Sequence, residues 1–340
     1  DRLLLAVSGG LDSVVLCELC NQARHDFDIA HCNFRLRDKE SERDGAFVRQ
    51  LAAKYKVRFH IKAFDTEAYA LSNKLSVQVA ARELRYAWFR ELLDGQENKL
   101  ALLATAHHLD DSIETMLMNF FRGTGLAGLR GILPRQGRVV RPLLFARKQM
   151  LEAFALQHKL DWVEDSSNAS DKYTRNYFRH RVLPVVSEAY SAADDNLADN
   201  LQRFRDAALL YGEAVDRWKK KLLEYRGDEI HIPVLKLKKA TAPAALLYEI
   251  TKGMGFSPAQ LTDILGLLDS TTGKYVSSAT HRIIRNREWL IIAPVQQEVA
   301  GIVLIEGPGE WLYAGGTLHV TETDSRNLPT IPQHVFLNAD

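Results

Sequence analysis

Cysteine is scarce. Three residues in a chain of 340 are too few, and odd in number, for a disulfide framework, so the composition points to a reducing, cytoplasmic setting. No apolar run approaches the roughly 20 residues of a membrane span, and no signal-peptide pattern is present, so no membrane partner is expected. An excess of one charge is missing too. Lys and Arg number 44 against 43 Asp and Glu, a net +1, so no global field draws this chain to nucleic acid. Any RNA contact must come from local basic patches. The G-x-x-x-x-G-K-S/T spacing of a Walker phosphate loop occurs nowhere.

What is present is a soluble globular composition, 46% hydrophobic and 26% charged, long enough for two domains. The most informative stretch is near the start. Leu3 to Val7 reads as a buried strand, Ser8-Gly9-Gly10-Leu11-Asp12-Ser13 as a turn, and Val14, Val15 and Leu19 as the apolar face of a helix. A strand feeding a helix through such a turn aims backbone N–H groups at one spot, at the positive end of the helix. Paired glycines let the backbone approach an anion closely. An ordinary βα turn is the plain alternative. The hydroxyls of Ser8 and Ser13, which bracket the glycines, and the Asp12 carboxylate, suited to Mg²⁺ or a nucleotide, favour phosphate.

Further on, Phe27–Cys32, Val57–Lys62 and Leu100–Thr105 read as strands. A charged helix separates the first two, with Phe47, Val48, Leu51 and Tyr55 inward. A helix capped by Ser76 and running to about Leu93 precedes the last, with Val77, Ala80, Ala81, Leu84, Ala87 and Trp88 inward. This alternation predicts an α/β fold with a doubly wound, mostly parallel sheet. The loops after Val7, Cys32 and Thr105 should then meet at the carboxyl edge.

The loop after Thr105 reads His107-His108-Leu109-Asp110-Asp111-Ser112-Ile113-Glu114. Asp110 and Glu114 are four apart and share a helical face. Helix capping explains two acids as well as a site does. Zinc is discounted because the H-E-x-x-H order is lacking. An acidic pocket for a cationic substrate, or for Mg²⁺ on a nucleotide, fits better. Two patterns are set aside: Gly123 to Gly128 matches G-x-G-x-x-G but follows a helix, and Cys17-x-x-Cys20 lies inside the first helix.

Arg175 to Arg181 is cationic and aromatic together. It is either a solvated helix face or a clamp for phosphates or RNA, with Tyr177 or Phe178 stacking on a base. From Asn196 an apolar stripe at Leu197, Leu201, Phe204, Ala208, Tyr211, Val215, Trp218 and Leu222 predicts one long helix that links two domains and packs on one of them. Beyond Gly227 a small α+β domain carries a capped helix from Ser257 to Leu268 and a hairpin turning near Asn286. Lys236, Lys238, Lys239, Lys274, Arg282, Arg285 and Arg287 make it locally basic. The expected boundaries are a nucleotide-binding domain over 1–190, a linker helix over 191–226, a small domain over 227–297, and the start of an incomplete β-rich domain over 298–340.

The Ser-Gly-Gly-x-Asp-Ser turn resembles the loop of the N-type ATP pyrophosphatases, the PP-loop superfamily with an adenine nucleotide alpha hydrolase-like fold. Four further blocks select among its members: His31 to Arg37, Ala81-Arg82-Glu83-Leu84-Arg85-Tyr86, His107 to Thr115, and Asp165 to Asn168 with Arg175 to Arg179. Together they resemble the tRNA(Ile)-lysidine synthetase family. The chain departs from that pattern at Phe34, often His, and Ser112, often Gln.

The resemblance implies ATP-dependent ligation of L-lysine to C2 of the wobble cytidine of a tRNA(Ile) with a CAU anticodon, through an adenylated cytidine. It implies ATP held by Ala6, Ser8, Gly9, Gly10, Leu11, Asp12, Ser13, His31, Asn33 and His107, with Mg²⁺ at Asp12. Arg82 would stabilise charge in the transition state. Asp110, Asp111 and Glu114 would receive lysine, one of them as base. Arg35, Arg37, Arg175, Asn176 and Arg179 would hold the RNA, with the cytidine flipped out. Two alternatives remain. A PP-loop tRNA thiolase would want a cysteine pair or cluster ligands at the site, where only Cys32 is expected. A non-catalytic ATP sensor would have no need of the acidic helix start. A homodimer is left open.

Overall fold

A computed structural model describes residues 2–36, 38–95, 100–164, 174–295, 305, 307–313 and 316–322. The chain divides into two compact units, residues 1–213 and 214–340. Arg37 and the Asp165–Asn168 block lie outside the described residues.

The first unit is built on a six-stranded sheet. Its strands are β1 (Arg2–Ala6), β2 (Phe27–Asn33), β3 (Phe59–Ala63), β4 (Leu100–Ala104), β5 (Arg135–Gln136) and β6 (Val139–Val140), ordered β3-β2-β1-β4-β6-β5. All neighbouring pairs are parallel except β5 with β6. The strand period of two sends alternate side chains to opposite faces. Leu5 and Ile29 join a core with Val14, Val15 and Leu16 of helix α1 (Leu11–Gln22), Val48 and Leu51 of α2 (Asp38–Tyr55), and Leu151 of α7 (Lys148–Gln157). Leu4, Ala30 and Leu103 point the other way, onto Trp88, Phe89 and Leu93 of α4 (Val77–Asp94). A short α3 (Thr66–Ser72) precedes α4, whose N-cap Ser76 accepts a hydrogen bond from Val79 N at 3.3 Å.

The inward face of α4 is the expected one at Ala80, Leu84 and Trp88 and differs at its margins. Val77 is 39% exposed and Ala87 is also exposed, whereas Phe89 and Leu93 are buried. The bulk of Phe89 beside Trp88 widens the buried face on one side, leaving Ala87 exposed.

After β4 come α5 (Leu109–Arg122) and α6 (Leu126–Leu129), and after β6 comes α7. Then follow α8 (Thr174–Tyr177), a π-helical turn (Phe178–Val182), α9 (Leu183–Ala189) and the 30-residue α10 (Ala193–Leu222). The apolar stripe of α10 is used twice rather than on one domain. Leu197, Leu201 and Phe204 pack with Ile113 and Met116 in the first unit, while Val215, Trp218 and Leu222 enter the core of the second.

The second unit is an antiparallel sheet ordered β7-β8-β11-β10-β9, from β7 (Glu224–Arg226), β8 (Glu229–Pro233), β9 (Tyr275–Ser277), β10 (His281–Asn286) and β11 (Trp289–Pro294). The β10–β11 hairpin turns at Asn286, as its pattern predicts. Helices α11 (Val234–Lys238), α12 (Pro243–Thr251) and α13 (Gln260–Gly266) complete it, with Leu247, Ile264, Ile283 and Leu290 central to the core. Helix α13 begins at Gln260 instead of Ser257. Gln260 Oε1 accepts from Ser257 N at 2.9 Å, half of the expected capping box. A two-stranded hairpin, β12 (Gly309–Tyr313) with β13 (Gly316–Val320), follows.

Candidate active site at the carboxyl edge of the sheet

The carboxyl ends of β1, β2 and β4 open onto one cavity of about 1180 Å³. Small-ligand pockets run to roughly 300–1,000 Å³, so this one has room for a nucleotide and a second substrate. Its lining includes Ala6, Ser8, Gly10, Leu11, Asp12, Ser13, His31, Asn33, His107, Asp111 and Arg175 from the sequence-based set.

The loop between β1 and α1 is held by its own hydroxyls. Gly9 N donates to Ser13 Oγ at 3.2 Å, Gly10 N donates to Ser8 Oγ at 3.3 Å, and Ser13 Oγ donates to Gly10 O at 2.8 Å. Gly9 adopts φ +97°, and a Cβ there would abut Phe47 and Val48 at 3.4 Å, so the turn requires glycine. Gly9 O in turn accepts from Val163 N at 2.9 Å, which ties the segment carrying Trp162 to the loop. The first N–H groups of α1 have no intrahelical acceptor and face an anion naturally.

On the β2 side, His31 Nδ1 donates to Val7 O at 2.9 Å, and burial lowers its pKa, so the neutral ring keeps Nε2 as an acceptor. Asn33 donates to Glu42 at 3.1 Å and accepts from Arg35 N at 3.0 Å. Phe34 stacks on Phe64 at 5.6 Å, and the Arg85 guanidinium covers its ring at 5.0 Å. Arg85 therefore lines the cavity, whereas Arg82 lies over Tyr86 at 4.9 Å and outside that lining.

On the β4 side the acids are already paired. His108, 3% exposed, sits among Asp110 (3.5 Å), Asp111 (3.6 Å) and Asp12 (3.9 Å). Burial disfavours its charge, but the three carboxylates outweigh burial and raise its pKa. Burial also opposes ionised Asp110, yet the nearby His108 (3.5 Å) and hydrogen bonds from Lys148 N (2.7 Å) and Arg147 (2.9 Å) hold its carboxyl well below the usual range. Glu114 is 1% exposed and clamped by Arg179 at 2.7 and 3.1 Å; burial raises its pKa, with the arginine opposing. Arg175 reaches Asp111 at 3.8 Å and Thr115 at 2.8 Å. Asp111 is the one acid of α5 that lines the cavity. Asp110, Glu114 and Arg179 form the layer behind it, Asn176 is buried on α8 outside the lining, and Arg35 is exposed at the end of β2. His107 accepts or donates with Thr105 Oγ1 at 2.8 Å, and burial holds its pKa down to about 4.

Sequence reasoning missed Lys148, Arg147 and Arg85. Lys148 lines the cavity, with Nζ 2.7 Å from Asp12 Oδ1. The signal for it was positional: β6 is a further parallel strand, so the helix that follows starts at the same carboxyl edge. Cys17 and Cys20 serve packing, whereas Cys32 lines the cavity, as expected. Cys17 and Cys20 are buried in α1, and burial pushes the Cys32 thiol up to about 12.

A parallel sheet with a hydroxyl-and-glycine phosphate loop at its carboxyl edge defines a PP-loop nucleotide-binding protein. The PP-loop domain family matches residues 1–186, and the TilS substrate binding domain family matches residues 225–295. Among curated relatives, a tRNA(Ile)-lysidine synthase of Bacteroides thetaiotaomicron is 40% identical over 88% of this chain and 68% of its own length. One of Parabacteroides distasonis is 38% identical over 88% and 67%. One of Chlorobaculum tepidum is 36% identical over 81% and 86%. The chain belongs to the tRNA(Ile)-lysidine synthase family, and it spans about two thirds of the length of the first two relatives.

Proposed function

We propose that the chain activates the C2 oxygen of the wobble cytidine of a CAU-anticodon tRNA(Ile) with ATP, then joins the ε-amine of L-lysine to C2. The observation that carries this reading is the cavity that the Ser8–Ser13 loop shares with the acidic start of α5. Ser8, Gly9, Gly10, Leu11 and Ser13 receive the leaving pyrophosphate, and Ala6, His31, Asn33 and His107 border the adenosine. The cytidine O2 attacks the α-phosphorus, pyrophosphate departs, and lysine then displaces AMP.

Asp111 is the acid in reach of the lysine ammonium, and the buried Glu114–Arg179 pair holds it in position. Arg85, on its Phe34 support, and Arg175 present guanidinium groups to the RNA strand. Arg82 and Arg35 approach from outside the lining. Among the described residues no three His, Cys, Asp or Glu gather into a metal site. One carboxylate beside a phosphate loop does suit Mg²⁺, which is commonly held by one or two carboxylates and substrate phosphates. Asp12 fits that part, and the ion when bound neutralises phosphate charge.

The test mixes the protein, ATP, labelled lysine and tRNA(Ile) with a CAU anticodon, and follows lysine on the RNA with AMP release. AMP without lysine on the RNA overturns the reading. Asp12→Ala is expected to abolish pyrophosphate release while leaving the circular dichroism spectrum unchanged. Unaltered turnover would remove Asp12 from the mechanism.

A further inference from the structure

The phosphate loop supplies only neutral donors, N–H groups and hydroxyls, to a leaving group that carries several negative charges. A Walker loop has its own lysine for this purpose. Here none lies in the loop. Four cations line the cavity among the described residues, and only one of them has its partner in the loop. Arg43 pairs with Asp44 at 2.9 Å, Arg85 lies over Phe34, and Arg175 engages Asp111 and Thr115. The fourth is Lys148, whose Nζ rests 2.7 Å from Asp12 Oδ1, within the loop segment itself.

The root of Lys148 is fixed, because its backbone N donates to Asp110 Oδ2 at 2.7 Å and Arg147 binds the other oxygen at 2.9 Å. Its tip is half-exposed and held by a single ion pair. We propose that Lys148 is the cation that binds the β- and γ-phosphates of ATP, with Asp12 holding it beside the loop until the nucleotide arrives. This deepens the function proposed above and rests on it.

In the adenylation step the attacking cytidine oxygen forms a bond to the α-phosphorus. The bond from that phosphorus to the bridging oxygen breaks, and its electron pair leaves with pyrophosphate. Lys148 stays protonated throughout and donates a charge-assisted hydrogen bond to the phosphate oxygens, which strengthens as their charge grows. Asp12, released from the lysine, then faces the cation that accompanies the nucleotide. A salt bridge present before substrate thereby keeps two opposite charges apart from wrong partners.

The proposal separates from a merely structural role by its dependence on phosphate. Lys148→Met and Lys148→Arg are compared with the parent protein by calorimetric titration with α,β-methylene-ATP and with AMP, with and without Mg²⁺. Lys148→Met is expected to weaken the triphosphate by about 10- to 100-fold, the worth of one charge-assisted hydrogen bond, and AMP by less than about 2-fold. Lys148→Arg should keep triphosphate affinity within about 5-fold of the parent, because the charge remains. Equal losses for both nucleotides would mean that the lysine only shapes the loop, and no loss would mean that it does not touch phosphate; either overturns the proposal. Should Lys148→Met fail to fold, Lys148→Gln gives the same reading. If the parent protein binds the triphosphate but never places lysine on RNA, the function above fails while the titrations still judge Lys148.

Discussion

Glu114 looks from its spacing like a substrate-facing acid, and it is a buried one. Its side chain is 1% exposed, and both carboxylate oxygens are taken by Arg179. Arg179 is a third exposed and keeps Asp111 at 3.4 Å, so its charge is not stranded when Glu114 is neutralised. Glu114→Gln is therefore expected to cost about 1.5–2 kcal/mol in urea unfolding, the worth of charge-assisted hydrogen bonds. A loss under about 1 kcal/mol would show that water screens the pair. His107 gives a second, pH-dependent test. Its folded pKa of about 4 lies below the ordinary 6.5. As pH falls through 6.5 the unfolded chain takes the proton first, so the stability from this residue is complete above 6.5 and is lost between 6.5 and 4. His107→Gln should flatten the parent's decline in unfolding midpoint across that window. An identical slope in both proteins would assign the decline to other groups. Neither result could be foreseen from sequence, since a short polar motif says which residues gather and not which of them face each other.

At the scale of elements much more was legible. The strand–turn–helix start, the Ser76 cap, the long α10 and the β10–β11 hairpin all follow from apolar period and local hydrogen bonding. A strand-like piece ending at Arg141 to Leu144 and a helix starting at Lys148 are legible, but β6 is only two residues long, so its place in the parallel sheet, and with it Lys148 at the carboxyl edge, stayed hidden. The α4 face was legible at Ala80, Leu84 and Trp88 but not at Phe89 and Leu93, because small apolar residues such as Ala87 suit either side of a helix and the neighbouring aromatic takes the buried place. One departure from the family pattern gains a reason here. Ser112 is fully buried on α5, and its Oγ accepts from Ile132 N at 2.9 Å. The adjoining Gly131 has φ +62°, and a Cβ on it would lie 2.4 Å from Ser112 Oγ and 2.7 Å from Leu201 Cδ2. A small residue at 112 lets that backbone come in. Gly131→Ala should lose at least about 2 kcal/mol, from left-handed strain together with overpacking between α5 and α10. A thermal midpoint within a degree of the parent would show that the turn can relax.

Across the whole molecule the balance of 44 basic and 43 acidic residues means that attraction to RNA has to be local. Around the cavity of the first unit Arg147, Arg175 and Arg179 are paired with Asp110, Asp111 and Glu114, so their charge is spent internally. The second unit carries a different arrangement. On α11 and just beyond it, Lys238 is paired with Asp269, while Lys236 and Lys239 are exposed. Phosphate contacts release counterions, and each one adds close to one unit to the slope of log affinity against log salt. If Lys236 and Lys239 touch the tRNA backbone, Lys236→Glu with Lys239→Glu should weaken tRNA binding and make that slope shallower by about 2. ATP binding should stay unchanged, because the loop that holds phosphate lies in the other unit. Lys238→Ala should change the slope less, since its charge is already engaged by Asp269. A double variant with the parent's slope would show that this basic surface is solvated only, and that the RNA is gripped by the arginines around the cavity.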